Sequence, residues 1–466
     1  MKMWGGRFRQ PLDPQFERWQ RSFPFDRRLV QEELAASRAH AQALASAGVL
    51  SPAELDSVLR GLSEIGQRAE NPELLHDEEA EDVHHFVEKR LVALVGEAGY
   101  KLHSGRSRNE QVATDLRLYV RRSIDNLQRG LGELLESLIA RAEKSGIASM
   151  PSYTHLQAAE PVLLAHWLLA YAEMFFRDSG RLADCRKRLN QCPLGSGAVA
   201  GAALPLDRTA MAAELGFDQP TANSVDATSD RDFAIEFVQA LSVVAIHLSR
   251  LAEEMILFST REFGFVRLPE AFSTGSSAMP QKQNPDAMEL IRGKAARIIG
   301  DATALAATVK GLPLAYDKDL QETQEPVFSA AETMQAAIAI AAGFMNAVEF
   351  DYDRMQAAAS SGFMNATAAA HYLVARGVPF RHAHEQIGRA VQWCLENHCE
   401  LEDMPFDELR RIAPEAGQDF YSHLTLDAVL CCHNVNGGTA PARVRQALAE
   451  ARERLAALRG ELHAHA

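Results

Sequence analysis

The stretch FVQALSVVAIHLSRLAEEMILF, from Phe237 to Phe258, is the most apolar long run of a 466-residue chain. Four polar residues interrupt it: His247, Arg250, Glu253 and Glu254. A membrane span needs about 20 consecutive and mainly apolar residues, and this run is too interrupted to meet that requirement. We therefore predict a long buried helix in a protein that has no membrane partner.

Helical periodicity of the same kind extends over most of the chain. Several predicted helices reach about 25–35 residues, well beyond the usual length in globular proteins. Such helices usually lie side by side in an elongated bundle, often shared between subunits. Alternating strand patterns are nearly absent, so the predicted fold class is all-α. The predicted helices span residues 27–48, 74–95, 109–143, 160–190, 230–262, 285–309 and 326–348, and another begins with Ser51 as its N-cap.

Composition limits the classes of function. The chain has 48 Lys and Arg against 62 Asp and Glu, a net charge of −14, which argues against a nucleic-acid partner. Its six cysteines form no regular framework, which favours a reducing compartment. The start MKMWGGRFRQPLD has no apolar segment typical of a signal peptide. We expect a soluble, cytoplasmic protein.

The polar break GSSAMPQKQNP, from Gly275 to Pro285, directly precedes a predicted helix. Asn284 suits the N-cap and Pro285 the first helical position. Free amide groups at a helix start favour an anion, and Lys282 adds a positive charge there. A carboxylate is the natural ligand of such a site. The alternative is a solvated loop before an ordinary capped helix.

Two further polar breaks have a similar arrangement. In the first, Ser107 and Glu110 form a capping box, and Arg108 and Asn109 lie at the helix start, which suits carboxylate or phosphate. A charged surface loop is the alternative. In the second, PSYTHLQAAEP, the residues Thr154, His155 and Gln157 precede a helix predicted to begin near Glu160. His155 lies in a polar segment, where it is either a titrating group or a structural residue.

Metal and cofactor signals are weak. Glu81, His84 and Glu88 share one face of a predicted helix, which fits a surface pair better than a metal site. The cysteines after residue 390 lack metal-ligand spacing, and neither a P-loop nor a dinucleotide fingerprint is present. We expect neither a metal nor a cofactor.

Taken together, these motifs resemble the argininosuccinate lyase family of the aspartase/fumarase superfamily. GSSAMPQKQNP is similar to the superfamily signature GSSxMPxKxNP. The other matching segments are WGGRF, LHSGRSRNEQVATD, SYTHLQ, CPLGSGAVAG, LPLAYDKDLQE, GVPFRHAHE and GGTAPARV. The resemblance covers essentially the whole chain. It implies reversible cleavage of argininosuccinate to arginine and fumarate without a cofactor.

The resemblance also implies three helical domains around a central bundle of long helices. Helix lengths place the domains at 1–110, 111–360 and 361–466, because long helices give way to shorter ones near residue 360. The family assembles as a homotetramer, and each active site gathers residues from three subunits. That arrangement would explain why the polar breaks lie so far apart in the sequence.

The resemblance assigns roles to individual residues. It makes Ser276 and His155 the acid–base pair, with Glu289 orienting His155; Ser276 is our choice for the base, and the reverse order stays open. Lys282 and Asn284 would stabilise the charge that develops on a carboxylate. The predicted substrate contacts are Ser22, Asn109, Thr154, Asn284, Tyr316 and Gln321, with His84 and Arg108 lining the pocket.

Two departures from the family pattern are visible. Gln324 stands where the pattern has a lysine, so the position loses a charge that would bind substrate, and ATAAAH, Ala366 to His371, lacks two acids found in the usual ATDLAD block. Two alternatives stay open. One is a sister lyase acting on adenylosuccinate, aspartate or malate, and the other is a structural protein without activity, of the lens-crystallin type.

Overall fold

The computed structural model describes residues 10–69, 71 and 75–464. The WGGRF segment of the resemblance, Trp4 to Phe8, lies outside these residues. The described chain is mainly helical. Its helices are α1 (Pro14–Trp19), α2 (Phe23–Asp26), α3 (Val30–Ser46), α4 (Pro52–Ala69), α5 (Val83–Val95), α6 (Glu97–Lys101), α7 (Arg108–Ser145), α8 (Leu164–Leu189), α9 (Arg208–Glu214), α10 (Ser224–Ser229), α11 (Asp232–Phe258), α12 (Asp286–Val309), α13 (Gln324–Ala347), α14 (Tyr352–Ala359), α15 (Ala366–Ala375), α16 (Phe380–Asn397), α17 (Phe406–Ile412), α18 (Leu426–Cys432) and α19 (Pro441–Ala464).

Short strands join these helices in pairs. The strands are β1 (Ser149–Thr154), β2 (Gln157–Leu163), β3 (Gln191–Cys192), β4 (Gln219–Pro220), β5 (Val266–Arg267), β6 (Thr274–Gly275), β7 (Gln283–Asn284) and β8 (Glu349–Phe350). The pairs β1–β2, β5–β8 and β6–β7 are antiparallel, and β3–β4 is parallel. Only β1–β2 is longer than two residues per strand among the described pairs, so the fold class is all-α, as predicted.

The long helices confirm the main prediction from the sequence, with two corrections. The helix predicted over 160–190 begins at Leu164, because Gln157–Leu163 is a strand paired with Ser149–Thr154. The helix predicted over 74–95 begins at Val83, where the side chain of Asp82 accepts from the amide of His85. Both errors are at helix starts. Apolar periodicity does not show whether the residues before a helix pair as a strand, as before α8, or form an irregular segment, as before α5.

Hydrogen bonds at the helix start confirm the predicted cap of α4 and correct that of α12 by one position. The Ser51 amide donates to Glu54 Oε2 at 2.9 Å, and the Glu54 amide donates to Ser51 Oγ at 3.3 Å, which is the predicted capping box of α4. At the start of α12 the register differs by one position: Asn284 ends β7, and the carbonyl of Pro285 accepts from the amides of Met288 and Glu289.

The described chain forms two compact units that are discontinuous in sequence. Unit 1 contains the described residues of Met1–Leu127, Gly180–Val243 and Ala296–Gln335, and unit 2 those of Gln128–Ser179, Val244–Ala295 and Ala336–Ala466. Each of the five long helices, α7, α8, α11, α12 and α13, contributes residues to both units. The three-domain division at 110 and 360 stays a prediction.

Each unit has its own apolar cluster. In unit 1, Leu118 of α7 packs with Leu194, Met211 and Phe217 from the segment after α8. In unit 2, Leu373, Ile387, Leu401 and Phe420 belong to the cluster that holds the short helices after residue 360 together.

Two segments are long and apolar enough to cross a membrane by length and composition, Asp232–Phe258 and Lys318–Ala347. In their most apolar windows, 50% and 61% of the residues are buried inside the protein. Core helices of soluble proteins pass the same test, so this observation gives little support to a membrane span.

Candidate active site

The predicted site residues fall into two groups, one in each unit. Unit 1 holds Ser22, His84, Arg108, Asn109, Tyr316, Gln321 and Gln324, and unit 2 holds Thr154, His155, Ser276, Lys282, Asn284 and Glu289. The first group consists of four buried residues, Ser22, His84, Gln321 and Gln324, and three half-buried ones, Arg108, Asn109 and Tyr316. The second lies on exposed loops and on the first turn of α12.

The start of α7 has the predicted capping box. The amide of Ser107 donates to Glu110 Oε1 at 3.0 Å, and the amide of Asn109 donates to Ser107 Oγ at 3.3 Å. Glu110 Oε2 also accepts from the amide of Gly197 at 3.0 Å. Gly197 has φ +60°, and a Cβ there would lie 2.8 Å from the carbonyl oxygen of Gly201. Glu110 thereby ties a tight glycine loop to the helix start that carries Arg108 and Asn109.

Arg108 belongs to a network of polar residues that we call the Arg108 cluster: Ser22, Asp26, Asp82, Arg108 and Tyr316. Arg108 Nε lies 2.9 Å from Asp82 Oδ2. The hydroxyl of Ser22 donates to Asp26 Oδ2 at 2.5 Å, and the amide of Val83 donates to Asp26 Oδ1 at 3.0 Å. These bonds connect α2, the start of α5 and the start of α7.

The two carboxyl groups of the cluster differ in charge. Burial, followed by the charge of Asp82, raises the pKa of Asp26 to about 8, although Ser22, the Val83 amide and Arg108 act in the opposite direction. Burial also acts to raise the pKa of Asp82, but Arg108 and then His84 outweigh it and lower that pKa. At neutral pH, Asp26 therefore carries a proton and Asp82 pairs with Arg108 as an ion.

Tyr316 and Gln321 reach the same unit from the segment before α13. Burial raises the pKa of Tyr316, while the positive charge of Arg231 acts in the opposite direction. Gln321 is 8% exposed and donates from Nε2 to the carbonyl of Gln20 at 3.1 Å. Gln324, the position expected to be a lysine, is the first residue of α13; it is buried, and its Oε1 has no hydrogen-bond partner.

His84 lies in different surroundings from those predicted. Glu81 is outside α5, so the predicted face of Glu81, His84 and Glu88 does not form. His84 is 2% exposed, and its Nδ1 lies 2.7 Å from Glu33 Oε2 and 3.5 Å from Asp115 Oδ2. Among the described residues, Glu33, His84 and Asp115 are a group whose ligand-type atoms lie within 4.8 Å of one another.

In unit 2, Thr154 and His155 lie at the tip of the β1–β2 hairpin. Thr154 pairs with Gln157, so His155 and Leu156 form a two-residue turn, and both have positive φ, 55° and 56°. The ring of Tyr153 packs against Phe258 and Phe263, with centroid distances of 6.1 and 5.5 Å. These ring contacts anchor the hairpin next to its turn, and the turn presents an exposed His155.

The second exposed segment of unit 2 is the loop 276–282, which connects β6 and β7. Ser276 Oγ accepts from the amides of Ala278 and Met279 at 3.3 and 3.1 Å, and the Lys282 amide donates to the Met279 carbonyl at 3.0 Å. At the end of the loop, Asn284 Nδ2 lies 3.5 Å from Thr274 Oγ1. Lys282 is exposed beside the start of α12.

Within the described chain, no hydrogen bond or ion pair joins Ser276, His155 and Glu289 to one another. Each lies on its own exposed element of unit 2: the 276–282 loop, the hairpin tip and the first turn of α12. One chain therefore presents these three groups separately, and the predicted orientation of His155 by Glu289 stays a prediction.

Reasoning from the sequence missed four charged residues: Asp26, Glu33 and Arg231, which are buried, and Asp82, which is half-buried. A local signal exists for two of them, since Asp26 follows Ser22 by four residues on a helical segment, and Asp82 is a typical N-cap residue before α5. Glu33 meets His84, Gln111 and Arg106, which are distant in sequence. Arg231 is 1% exposed, donates to the Asp230 carbonyl at 2.7 Å, and has no partner at Nε or Nη2.

Comparison with known proteins gives a consistent result. A family model described as "Lyase" matches residues 6–300, and one described as "Argininosuccinate lyase C-terminal" matches residues 363–430. The chain is 62% identical over 458 residues to the argininosuccinate lyase of Koribacter versatilis, covering 98% of each chain. It is 58% identical to that of Acidobacterium capsulatum, covering 96% of this chain and 93% of the relative.

Solved structures agree on the fold. EDDS lyase in complex with formate superposes with a TM-score of 0.83 at 25% identity, covering 97% of this chain and 92% of that one. The class II fumarase of Schistosoma mansoni superposes with a TM-score of 0.75 at 15% identity, covering 87% and 91%. The shared arrangement of long helices thus persists where sequence identity is low.

Proposed function

The chain belongs to the argininosuccinate lyase family of the aspartase/fumarase superfamily, and on that basis we propose that it splits argininosuccinate reversibly into arginine and fumarate. The observation that carries this proposal is the 62% identity to a named argininosuccinate lyase over 98% of both chains. The reaction is a β-elimination that needs acid–base groups and a site for carboxylates, and it serves arginine biosynthesis. The chain is a carbon–nitrogen lyase.

The first chemical step removes a proton from the carbon next to a substrate carboxylate. We assign that step to Ser276 in its deprotonated form. Having released its own proton to solvent, the alkoxide oxygen takes the proton from carbon and becomes a hydroxyl again, while the electron pair moves onto the carboxylate as an aci-carboxylate. The amides of Ala278 and Met279, which donate to Ser276 Oγ, favour the alkoxide. Lys282, Asn284 and the amides at the start of α12 lie beside the 276–282 loop and supply donors for this charge. Closure of the loop over substrate would remove water and strengthen these interactions.

The second step breaks the carbon–nitrogen bond, and the leaving guanidine nitrogen takes a proton. We assign delivery of that proton to His155, because an imidazole can act as a general acid and the hairpin tip exposes it. Thr154 lies beside it for contact with substrate, and Glu289 is the proposed orienting carboxylate. Fumarate and arginine are then free to leave.

The Arg108 cluster is the proposed binding half of the site. Arg108 and Asn109 at the start of α7 present a cation and an amide, which suit a substrate carboxylate. Ser22, Tyr316 and Gln321 supply neutral polar groups around them, with His84 behind. Gln324 gives this chain an amide where the family pattern has a cation, so we propose that Arg108 carries more of the carboxylate binding here.

We propose a homotetramer whose active sites combine residues from several copies. The long helices expose large apolar side chains, among them Ile246 at 45%, Leu290 at 60%, Ile299 at 42% and Ile340 at 41%. Burial of such residues between subunits is favourable, at about 25 cal/mol per Å² of apolar surface. Mass measurement in solution should give about four times the 51.2 kDa chain mass.

We also propose that the enzyme works in the cytoplasm. All six cysteines are free thiols, and a reducing compartment keeps them so. The substrate and both products are small polar molecules. Neither nucleic acid nor a membrane is proposed as a partner.

The test of the function is a substrate panel. Purified protein is mixed separately with argininosuccinate, adenylosuccinate, aspartate and malate, and ultraviolet absorbance of fumarate is followed. We expect fumarate from argininosuccinate at a rate far above that from the other three. Fumarate from another substrate alone would identify a sister lyase, and fumarate from none would favour a structural protein.

A further inference from the structure

Helix α3 directs one carboxylate, Glu33, into the interior of unit 1. Its oxygens accept from His84 Nδ1 at 2.7 Å, from Ser37 Oγ at 2.7 Å and from Gln111 Nε2 at 3.2 and 3.3 Å. The guanidinium of Arg106 lies 3.6 Å from its Oε1. Glu33 is 1% exposed, so these donors take the place of water around it and stabilise an ionised carboxylate.

A second carboxylate lies beside the first without such donors. Asp115 is fully buried, and neither of its oxygens has a hydrogen-bond partner. The ligand-type atoms of Glu33, His84 and Asp115 all lie within 4.8 Å of one another. Two carboxylates this close, away from water, do not both ionise. Because the donors surround Glu33, the proton belongs on Asp115, from which it can be donated to Glu33.

The charges around the pair act in the same sense. Burial, followed by the charges of Glu33 and then Glu32, raises the pKa of Asp115 well above its usual range. Burial also acts to raise the pKa of Glu33, but Arg106 and then His84 outweigh it and hold that pKa well below its usual range.

Two histidines complete the surroundings of the pair. Burial, followed by the charge of Arg106, lowers the pKa of His40 to about 3 and that of His103 to about 4. Both imidazoles are therefore neutral at physiological pH. The remaining acid, Glu32, pairs with Arg122 at 2.8 Å. The ionised Glu33 thus faces one permanent cation, Arg106, among these neighbours.

Glu33 is also connected to the binding half of the site. The amide nitrogen of Gln111 donates to Glu33, and the amide oxygen of the same side chain accepts from Arg108 Nη1 at 3.0 Å. A second connection runs through His84, whose Nδ1 lies 2.7 Å from Glu33 Oε2. A proton on Nδ1 is the one that this contact favours, and in the neutral ring it would leave Nε2 as an acceptor. Glu33 therefore contacts two side chains that belong to, or orient, the proposed substrate pocket.

We propose that Glu33 is a positioning residue that acts as an ionised carboxylate beside a neutral Asp115, orienting Arg108 through Gln111 and fixing the tautomer of His84. This inference rests on the proposed function of the Arg108 cluster. It adds a buried group that does not touch substrate to the residues that control substrate binding. The pair acts through its single negative charge. Changing Glu33 to its amide should therefore weaken substrate binding, whereas changing Asp115 to its amide should leave binding close to that of the wild type.

A divalent cation is the other candidate occupant of this cluster. One imidazole nitrogen and two carboxylate oxygens are suitable ligands for such an ion. The donors on Glu33, however, already occupy the lone pairs that a cation would need, and Arg106 adds a positive charge next to them. We therefore assign the cluster to a proton.

The experiment compares two amide variants in the full-length enzyme. Asp115→Asn keeps a neutral side chain, so its KM and kcat should stay close to those of the wild type. Glu33→Gln removes the charge, so KM for argininosuccinate should rise about tenfold or more while kcat changes less, because displaced binding groups weaken substrate contacts. Glu32→Gln, on the same helix, is the matched control for loss of a buried acid. Equal loss of activity in both test variants, or unchanged KM in a folded Glu33→Gln variant, would contradict the proposal.

Two further measurements keep the proposal testable. If Glu33→Gln does not fold, Gln111→Leu removes the connection between Glu33 and Arg108, together with the hydrogen bonds of Gln111 to Glu33, while the carboxylate itself stays. This variant should raise KM more than it changes kcat, and an unchanged KM would overturn the proposal. Thermal unfolding measured against pH tests the pair without any measurement of activity. The pKa of Asp115 is raised in the folded state, so the free energy of unfolding of the wild type should fall as pH rises above the pKa that Asp115 has in the unfolded chain. The fall should be smaller in Asp115→Asn. Equal slopes would contradict the neutral Asp115 even in a protein that cleaves no argininosuccinate. Stabilisation by added zinc that EDTA reverses would assign the cluster to a metal instead.

Discussion

The Arg108 cluster and the 276–282 loop are both polar, but they differ in how much of their structure one chain determines. Ser22, Asp26, Asp82 and Arg108 are held by hydrogen bonds and an ion pair from several helices. The hydroxyl oxygen of Ser276, by contrast, accepts hydrogen bonds from the amides of Ala278 and Met279 in its own loop. We infer that the binding half is preorganised in each chain, whereas the chemical half is completed by loop closure and by neighbouring copies.

The largest predicted effect is the loss of the proposed base. Ser276→Ala should lower kcat by about 10²–10⁴-fold, the usual contribution of a positioned acid–base group, while thermal stability stays unchanged because the loop is exposed. Fumarate absorbance and a melting curve measure the two quantities. Ser277→Ala, the neighbouring exposed serine, is the control. A Ser276→Ala enzyme with near-normal turnover would remove Ser276 from the mechanism.

A smaller effect is predicted in the binding half. Arg108→Gln should raise KM by about 10- to 100-fold, since a hydrogen bond to a charged group contributes about 1.5–3 kcal/mol. Arg68→Gln, at an exposed pair with Glu64 in α4, should leave KM unchanged. Steady-state kinetics on both variants test the comparison. A change in kcat without a change in KM would mean that Arg108 acts in the chemical step instead.

Stability of the binding half should depend on pH through Asp26. Its pKa is raised in the folded state, to about 8, so the folded state binds a proton that the unfolded chain releases above its ordinary pKa. Folding stability should therefore fall as pH rises from about 4 towards 8, with a slope of at most about 1.4 kcal/mol per pH unit from this group. Asp26→Asn should flatten that slope in melting curves measured across the range. If stability fell as steeply with pH in Asp26→Asn as in the wild type, Asp26 would be ionised in the folded protein.

The smallest predicted effect concerns the hairpin tip. Leu156 has φ 56°, a conformation that costs an ordinary residue roughly 1–2 kcal/mol and that Asn adopts more readily. Leu156→Asn should raise the free energy of unfolding by about 0.5–1 kcal/mol and leave kcat close to that of the wild type. Leu156→Val is the contrasting variant, because β-branched residues disfavour this conformation. If Leu156→Asn lowered the free energy of unfolding as much as Leu156→Val, the leucine side chain itself, and not its backbone conformation, would determine stability at this position.

The sequence predicted the long helices well because their apolar spacing is local and regular, as in the run from Phe237 to Phe258. It missed the β1–β2 hairpin because strand pairing between Ser149–Thr154 and Gln157–Leu163 depends on packing rather than on local pattern. Motif similarity predicted Ser276 and Arg108 as site residues. It gave no indication of Glu33, whose partners His84, Arg106 and Gln111 come from distant segments and meet it only in the folded chain.

We propose that Ser276 and Arg108 act together in a site formed by different copies of the chain. Co-expression of Ser276→Ala and Arg108→Gln subunits with different tags, followed by purification of mixed assemblies, tests this proposal. At low substrate concentration, where both parent variants are weak, mixed assemblies should form fumarate much faster than the sum of the parents, because some sites draw both residues from unmodified positions. Activity that never exceeds the sum of the two parents would mean that each chain holds a complete site of its own.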